Sequence, residues 1–301
     1  TYCEDLAKLF SYVNFQVFAI THYDSLNLKK YCKKIFVVKD YNLKTLKKIF
    51  LKIDPYQKIP FLLGSGFAEN QKNSEIFSNR KNYGNDFKVN NLVKKKEFFN
   101  KLRKNQILFP KIIKIGSQKK TLIKKLKSFG SQNVKELKSK NYSLKRNEYF
   151  QEYIDGKNTS VQFISDESEV RLISICEQVL KKNTFFTEYI IMEKLSKSKR
   201  KEIFNLVKKL TKIFSLKGIN NIDLIEKENI LYLIEINSRP GLSSKIIYEI
   251  NGGPFIKEEK NPNKKFHATK IIYSSKRIII KKKNIKFFKN YFNSNKFSEL
   301  P

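Results

Sequence analysis

Residues 231–241, Leu-Tyr-Leu-Ile-Glu-Ile-Asn-Ser-Arg-Pro-Gly, run from an apolar stretch into a carboxylate, an amide and a guanidinium. Side chains two apart on an extended strand point the same way, so Glu235, Asn237 and Arg239 form one polar row. Such a row can hold a metal ion and phosphate together. Upstream, Asn-Ile-Asp-Leu-Ile-Glu at 221–226 reads as a neighbouring strand, and Glu228-Asn229 as the hairpin turn between the two. That pairing sets Asp223 beside Glu235 across an antiparallel pair. Two carboxylates and an amide oxygen are a hard-oxygen set suited to Mg²⁺ bridging nucleotide phosphates. Singly, each of these residues is an ordinary polar group on the wet face of a hairpin; their order and spacing point to chemistry.

The elements that must position this hairpin are read from periodicity. Residues 2–14 form an amphipathic helix, 15–20 a buried strand, 29–34 a short helix, 35–38 a strand and 43–53 another helix. This βα alternation is the pattern of a parallel sheet, with 61–63 as its next strand and Gly64-Ser-Gly66 as the loop at its carboxyl end. A basic helix over 94–105 leads through Ile-Leu-Phe-Pro at 107–110 into a new lobe. There 121–125 reads as a strand carrying Lys124, and 128–133 as a flexible loop of small residues. A lysine ahead of such a loop can reach nucleotide phosphates while the loop closes over them. In so basic a chain Lys124 is equally read as a solvated strand end.

Residues 148–156, Glu-Tyr-Phe-Gln-Glu-Tyr-Ile-Asp-Gly, have the character of a hinge strand. Main-chain groups around Glu152, Tyr153 and Ile154 offer the donor and acceptor spacing that an adenine edge needs. Strands follow at 159–164 and 170–179, with Gln178 either facing a substrate or idle on an edge strand. A helix over 197–216 buries Ile203, Leu206, Val207, Leu210, Ile213 and Phe214, and Gly218 fits as its stop. A Gly-, Pro-, Lys- and Asn-rich loop at 251–263 and late strands at 267–273 and 277–280 complete the pattern, with His267 a surface residue. No Gly-rich Walker loop occurs, which disfavours a P-loop nucleotide site.

Asp223 followed by Glu235-x-Asn237-x-Arg239-Pro-Gly resembles the metal-binding segment of the ATP-grasp superfamily. The resemblance implies an α/β and α+β ATP-grasp fold, divided into an N-terminal α/β parallel-sheet domain at 1–92, a small lobe at 93–155 and a large lobe at 156–301. It implies ATP and Mg²⁺ as cofactors, with Asp223, Glu235 and Asn237 on the metal and Arg239 on an acyl-phosphate or its oxyanion. Lys124 matches the family's phosphate-binding lysine, Ser128, Gly130 and Ser131 stand where its lid lies, and Glu152, Tyr153 and Ile154 match its hinge. The usual Lys-Pro is here Lys124-Lys125, and the lid has a single glycine. The N-terminal pattern, with Gly64-Ser-Gly-Phe67 and Tyr83-Gly-Asn85, is similar to a carboligase branch of methanogens and methylotrophs, related to biotin carboxylases and connected with one-carbon cofactors. The acid of that branch is displaced by one position, in Gly66-Phe67-Ala68-Glu69. The implied activity is ADP-forming ligation of a carboxylate to an amine through an acyl-phosphate. A first strand before the opening helix, and a further strand beyond the last residues, are expected of a chain clipped at both ends.

At 301 residues the chain can bury the core of an enzyme. Its charge of +34, from 62 Lys+Arg against 28 Asp+Glu, suggests a polyanion partner, with lysines tracking phosphates and aromatic rings stacking on bases. The lysines, however, are spread through every segment among many Asn and Ile, as an AT-rich genome produces, and the aromatics fall at core spacings. A basic nucleic-acid- or polyanion-binding protein on a degenerate ligase scaffold is therefore the alternative, and a degenerate ligase that binds ATP without turnover is a third. Three scattered cysteines and two histidines argue against a zinc or disulfide framework and fit a reducing cytoplasm. No apolar run reaches the length of a membrane span. The acid, the amine and the oligomeric state are not legible.

Overall fold

The computed structural model describes residues 2–22, 24–64, 77, 79–93, 96–114, 120–126, 131, 133–139, 141–166, 169–244, 246–247 and 268–271. They fall into two compact units, divided between Gln57 and Lys58. In the first, α1 (Tyr2–Tyr12), β1 (Val17–Thr21), α2 (Leu26–Tyr31), β2 (Cys32–Val37) and α3 (Leu43–Ile53) alternate, and β1 and β2 pair in parallel as the βα pattern predicts. Ser25 caps α2 by accepting from Leu28 N–H and also bonds Glu4 of α1. That cap starts the helix earlier than the basic run 29–34 suggests, and β2 begins correspondingly early at Cys32.

The second unit contains α4 (Phe87–Leu92), α5 (Lys96–Lys104), β3 (Thr121–Lys125), β4 (Lys135–Glu136), β5 (Glu148–Glu152), β6 (Lys157–Asp166), β7 (Glu169–Leu180), β8 (Thr187–Met192), α6 (Lys197–Phe214), β9 (Gly218–Lys227), β10 (Ile230–Asn237) and β11 (Ala268–Lys270). One antiparallel sheet has the order β4-β3-β5, the other β10-β9-β6-β7-β8-β11. The strand expected at 61–63 is a single parallel bridge, Phe61 to Asn82, because no longer partner lies beside it among the described residues. Two strands that periodicity does not reveal, β4 and β8, are edge-ward pieces with little apolar alternation. α6 stops at Ser215, which takes the left-handed conformation (φ 53°), not at Gly218. Gly218 has its own reason to be glycine: at φ +70° it opens β9, and a Cβ there would lie 2.6 Å from the Tyr83 carbonyl oxygen. No helix among the described residues is long and apolar enough to cross a membrane.

The six-stranded sheet has two chemically distinct faces. Directly paired residues point to the same side, so Ile236, Ile222, Val161 and Ile175 form one apolar row across β10, β9, β6 and β7. They share a core with Ile203, Val207, Leu210 and Phe214 of α6, each such burial contributing about 1.5–3 kcal/mol. The neighbouring rows face the other way and are polar: Glu235, Asp223, Ser160, then Asn237, Asn221, Gln162, Ser174.

Two local devices set this register. Glu228 and Asn229 both take positive φ (51° and 63°), the two-residue turn whose twist suits an antiparallel hairpin. Further along, Leu233 pairs with Leu224 and Glu235 with Asp223, which leaves Ile234 as an extra residue in β10. Without this bulge Glu235 would share the core-facing side of Leu231 and Leu233; with it, Glu235 turns to the polar face.

Candidate functional site

Asp223 and Glu235 are register partners on β9 and β10, as the hairpin reading expects. The Asn237 amide joins them: its Nδ2 donates to Asp223 Oδ2 at 3.1 Å and to Glu235 Oε1 at 2.9 Å. Its oxygen accepts from Arg239 Nη2 at 3.2 Å, and Arg239 Nη1 donates to the Pro240 carbonyl at 3.3 Å. Asp223 Oδ1 accepts from Gln178 Nε2 and Asn221 Nδ2, each at 3.1 Å. Burial first, and the Glu235 carboxylate second, push the Asp223 carboxyl up to about 7. Burial and then Glu235 likewise raise the Tyr149 phenol well above its ordinary value.

This donor set fits a hard divalent cation. Two carboxylates side by side on this sheet face repel each other, and a cation between them removes that repulsion, which adds to burial in holding a proton near neutral pH. Among the described residues no three His, Cys, Asp or Glu side chains gather, so the ligands facing the cleft are the two acids, which leaves coordination positions for water and phosphate, while the Asn237 amide gives them its Nδ2 and gives its oxygen to Arg239.

A cleft of about 160 Å³ opens in front of the pair. It is lined by Asp223 and Glu235 together with Lys124 and Ser131 and the hinge residues Glu152, Tyr153 and Ile154. Lys124 is held on β3 opposite Tyr149 of β5. Ser131 takes φ 60°, while Ser128 and Gly130 of the expected lid lie outside the described residues. So do Gly66-Phe67-Ala68-Glu69, the loop 251–263, His267 and the strand expected at 277–280. Asn237 and Arg239 are buried and do not line the cleft: Asn237 bonds the two carboxylates and Arg239 bonds Asn237.

At the hinge the Glu152 side chain is not a ligand. Its Oε1 accepts from Lys111 N–H at 2.7 Å and its own N–H donates to Lys111 O at 2.9 Å, so it ties β5 to the segment entering the lobe. Tyr153 N–H donates to Lys120 O at 2.8 Å. The hinge glycine, Gly156, lies so close to β9 that a Cβ would sit 2.4 Å from Glu226 O.

From sequence, Gln178 stands between two roles. In the fold β7 is an interior strand, and Gln178 lines the cleft bonded to Asp223. The buried polar residues Ser160, Gln162, Asn221 and Ser174, beside the acid pair on the same sheet face, are absent from the sequence-based site. Their signal lies in the alternation Ser-Val-Gln-Phe over 160–163, where Val161 and Phe163 are apolar and Ser160 and Gln162 polar. Also absent is Asn85, buried at 2% exposure, whose amide bonds Asn220 and the Ser238 carbonyl.

Residues 93–243, half of the chain, match the ATP-grasp domain family. The chain belongs to the ATP-grasp family. The matched ATP-grasp segment spans β3, the hinge and the whole acid, amide and guanidinium set. The carbamoyl phosphate synthase large chain of Clostridium perfringens is 29% identical over 107 residues, 35% of this chain and 10% of the relative. This ATP-grasp chain thus matches about a tenth of the length of those curated relatives. The biotin carboxylase domain of Hydrogenobacter thermophilus 2-oxoglutarate carboxylase, solved with MgADP, ADP and bicarbonate, is similar at TM-score 0.65 and 18% identity, over 84% of this chain and 65% of that one. An L-amino acid ligase from Bacillus licheniformis is similar at TM-score 0.61 and 15% identity, over 80% of this chain and 72% of that one. At these identities the structural likenesses establish the ATP-grasp fold.

Proposed function

We propose that this ATP-grasp chain is an ATP- and Mg²⁺-dependent, ADP-forming ligase that joins a carboxylate to an amine or similar nucleophile. The observation that carries it is the convergence of Lys124, the Asp223–Glu235 pair and the hinge on one cleft, with Asn237 and Arg239 bonded behind the acids. The division into a small lobe at 93–155 and a large lobe at 156–301 follows, with the nucleotide between them. Use in cofactor biosynthesis and a cytoplasmic location belong to the same reading.

Asp223 and Glu235 would hold Mg²⁺, with Asn237 joining them by turning its amide oxygen from Arg239 toward the cation, which supplies charge neutralisation on the nucleotide phosphates. The adenine edge falls to main-chain groups at Glu152, Tyr153 and Ile154. The amides of Glu152 and Tyr153 are already committed, whereas Ile154 N–H has no partner among the described residues and is the donor this reading assigns. Lys124 sits at the strand end that meets the phosphates, beside the segment carrying Ser128, Gly130 and Ser131. A substrate carboxylate oxygen attacks the γ-phosphorus and ADP leaves; the amine then attacks the acyl carbon, losing a proton, and phosphate leaves. Lys124 and Arg239 stabilise charge on the transferred phosphoryl group, and closure keeps water from the acyl-phosphate. No side-chain nucleophile is required.

The test is calorimetric titration of Mg-ATP at moderate and at high salt, with Asn237→Ala alongside. Saturable, Mg²⁺-dependent binding that survives salt and fails in the variant is expected. Binding that vanishes with salt, or ignores the substitution, would sink the ligase reading in favour of phosphate collection by lysines.

A further inference from the structure

The segment that carries Arg239 leaves β10 at Asn237 and turns back over the polar face of the sheet. Two buried side-chain amides, far apart in sequence, grip it on either side of the arginine. Before it, Asn85 Nδ2 donates to the Ser238 carbonyl at 3.2 Å and to Asn220 Oδ1 at 2.7 Å, while Asn85 Oδ1 accepts from Lys217 N–H at 2.8 Å. After it, Gln162 Oε1 accepts from Gly241 N–H at 2.7 Å and from the Ser244 hydroxyl at 2.8 Å. Asn85 is 2% exposed and Gln162 fully buried. The segment lies hard against the sheet, since a Cβ on Gly241 would come within 2.4 Å of Asn221 Oδ1.

Gln162 is informative because it is only half satisfied. Its Nε2 is buried with no hydrogen-bond partner among the described residues. A desolvated, unbonded donor is unfavourable, and methionine would fill the same volume without it. Nothing on the donor side rewards a glutamine here, so what favours it is the acceptor, the atom that holds Gly241 and Ser244.

We propose that Asn85 and Gln162 form a two-point clamp that positions Arg239 for the transferred phosphoryl group. The clamp rests on the role given to Arg239 above. Neither residue touches the cleft: both act through the main chain at Ser238 and Gly241, which fixes where the guanidinium stands behind the Asp223–Glu235 pair. The same network reaches that pair, because Asn221, in register with Gln162, donates to Asp223 Oδ1 and accepts from Ser160.

The experiment uses the full chain and two probes, MgADP alone and MgADP with aluminium fluoride, the latter a stand-in for the phosphoryl group in flight. Both affinities are measured by calorimetry for the unaltered protein, Gln162→Met, Arg239→Met and the double variant. Gln162→Met is expected to bind MgADP within about twofold of the unaltered protein and to lose about tenfold in the fluoroaluminate complex, as small misplacements of a positioned group do. Arg239→Met shows the same selective loss, and the double variant is no worse than Arg239→Met, since the clamp acts only through the arginine. In labelled protein, the Arg239 side-chain resonance shifts in Gln162→Met, a change that general loosening of the core does not single out. Unchanged fluoroaluminate binding in Gln162→Met, or losses that add in the double variant, overturns the clamp. If Arg239→Met itself has no effect, the role of Arg239 falls first and the clamp with it. Should Gln162→Met fail to fold, Ser244→Ala removes one of the two donors to Gln162 Oε1 and is read in the same way, with a smaller selective loss supporting the clamp and none overturning it.

Discussion

The two ends of the cleft are built from different parts of the residue. At the end that carries the acid pair, the proposed function rests on side chains: Asp223, Glu235, Asn237 and Arg239 are linked atom to atom. At the hinge end the same proposal rests on the main chain, where the Glu152 carboxylate is spent on Lys111 N–H and Tyr153 N–H on Lys120 O, which leaves the next amide as the proposed donor. A side-chain site tolerates almost no substitution and is therefore specific in sequence. A main-chain site tolerates many, provided the strand keeps its path.

Breaking the cation end should have the largest effect. Asn237→Ala is expected to weaken Mg-ATP binding by more than the ~10–100-fold typical of outer partners of a metal site, with circular dichroism unchanged. Unfolding of this variant would assign Asn237 a structural task instead. Next, Lys124→Met should reduce ATP affinity about tenfold or more, the ~1.5–3 kcal/mol of a hydrogen bond to a charged group, with ADP less affected; equal losses for both nucleotides would move Lys124 away from the terminal phosphate.

A third test follows the proton on the acid pair. The folded value of Asp223, about 7, lies above its ordinary 3.8, so the folded chain keeps a proton that the unfolded chain releases between those values. Stability of the metal-free protein from this group is thus fully present below about pH 4 and declines toward pH 7, at most on the order of 1.4 kcal/mol per pH unit. Thermal melts across that range, compared with Asp223→Asn, should show the slope flattened in the variant. The smallest effect belongs to the hinge: Ile154→Val is expected to change ATP affinity by less than about twofold, whereas inosine triphosphate, which presents a different base edge, binds about tenfold more weakly, roughly one hydrogen bond. A large loss in Ile154→Val would mean that the hinge recognises through side chains after all.

The same contrast explains how much of the molecule is legible in its amino-acid order. The hairpin, its turn at Glu228-Asn229 and the Asp223–Glu235 pairing follow from local alternation and turn chemistry, and α3 and β3 fall where periodicity puts them. The parallel β1–β2 pair is legible from βα alternation. What is not legible depends on pairing across distance. Gln178 is interior only because β8 covers β7, Asn85 matters only because it meets Ser238, and Ser160 and Gln162 declare themselves only once β9 lies alongside. The end of α6 at Ser215 is hidden because a serine takes the left-handed position that glycine usually marks.

The extra residue at Ile234 has a consequence for inheritance. Upstream of it β10 obeys one alternation and downstream the opposite one, so the acids meet because the strand miscounts by one. Paired regularly with Ile234 kept, the strand would set Ile234 beside Asp223 and swing Glu235 toward the core, whereas loss of the Ile234 codon would leave a regular ladder with Glu235 still beside Asp223. A chain that slipped into the regular ladder would keep every residue implicated in the site and lose the place where they converge. Integrity of this candidate site is thus partly a matter of parity, which residue-by-residue comparison of sequences does not record.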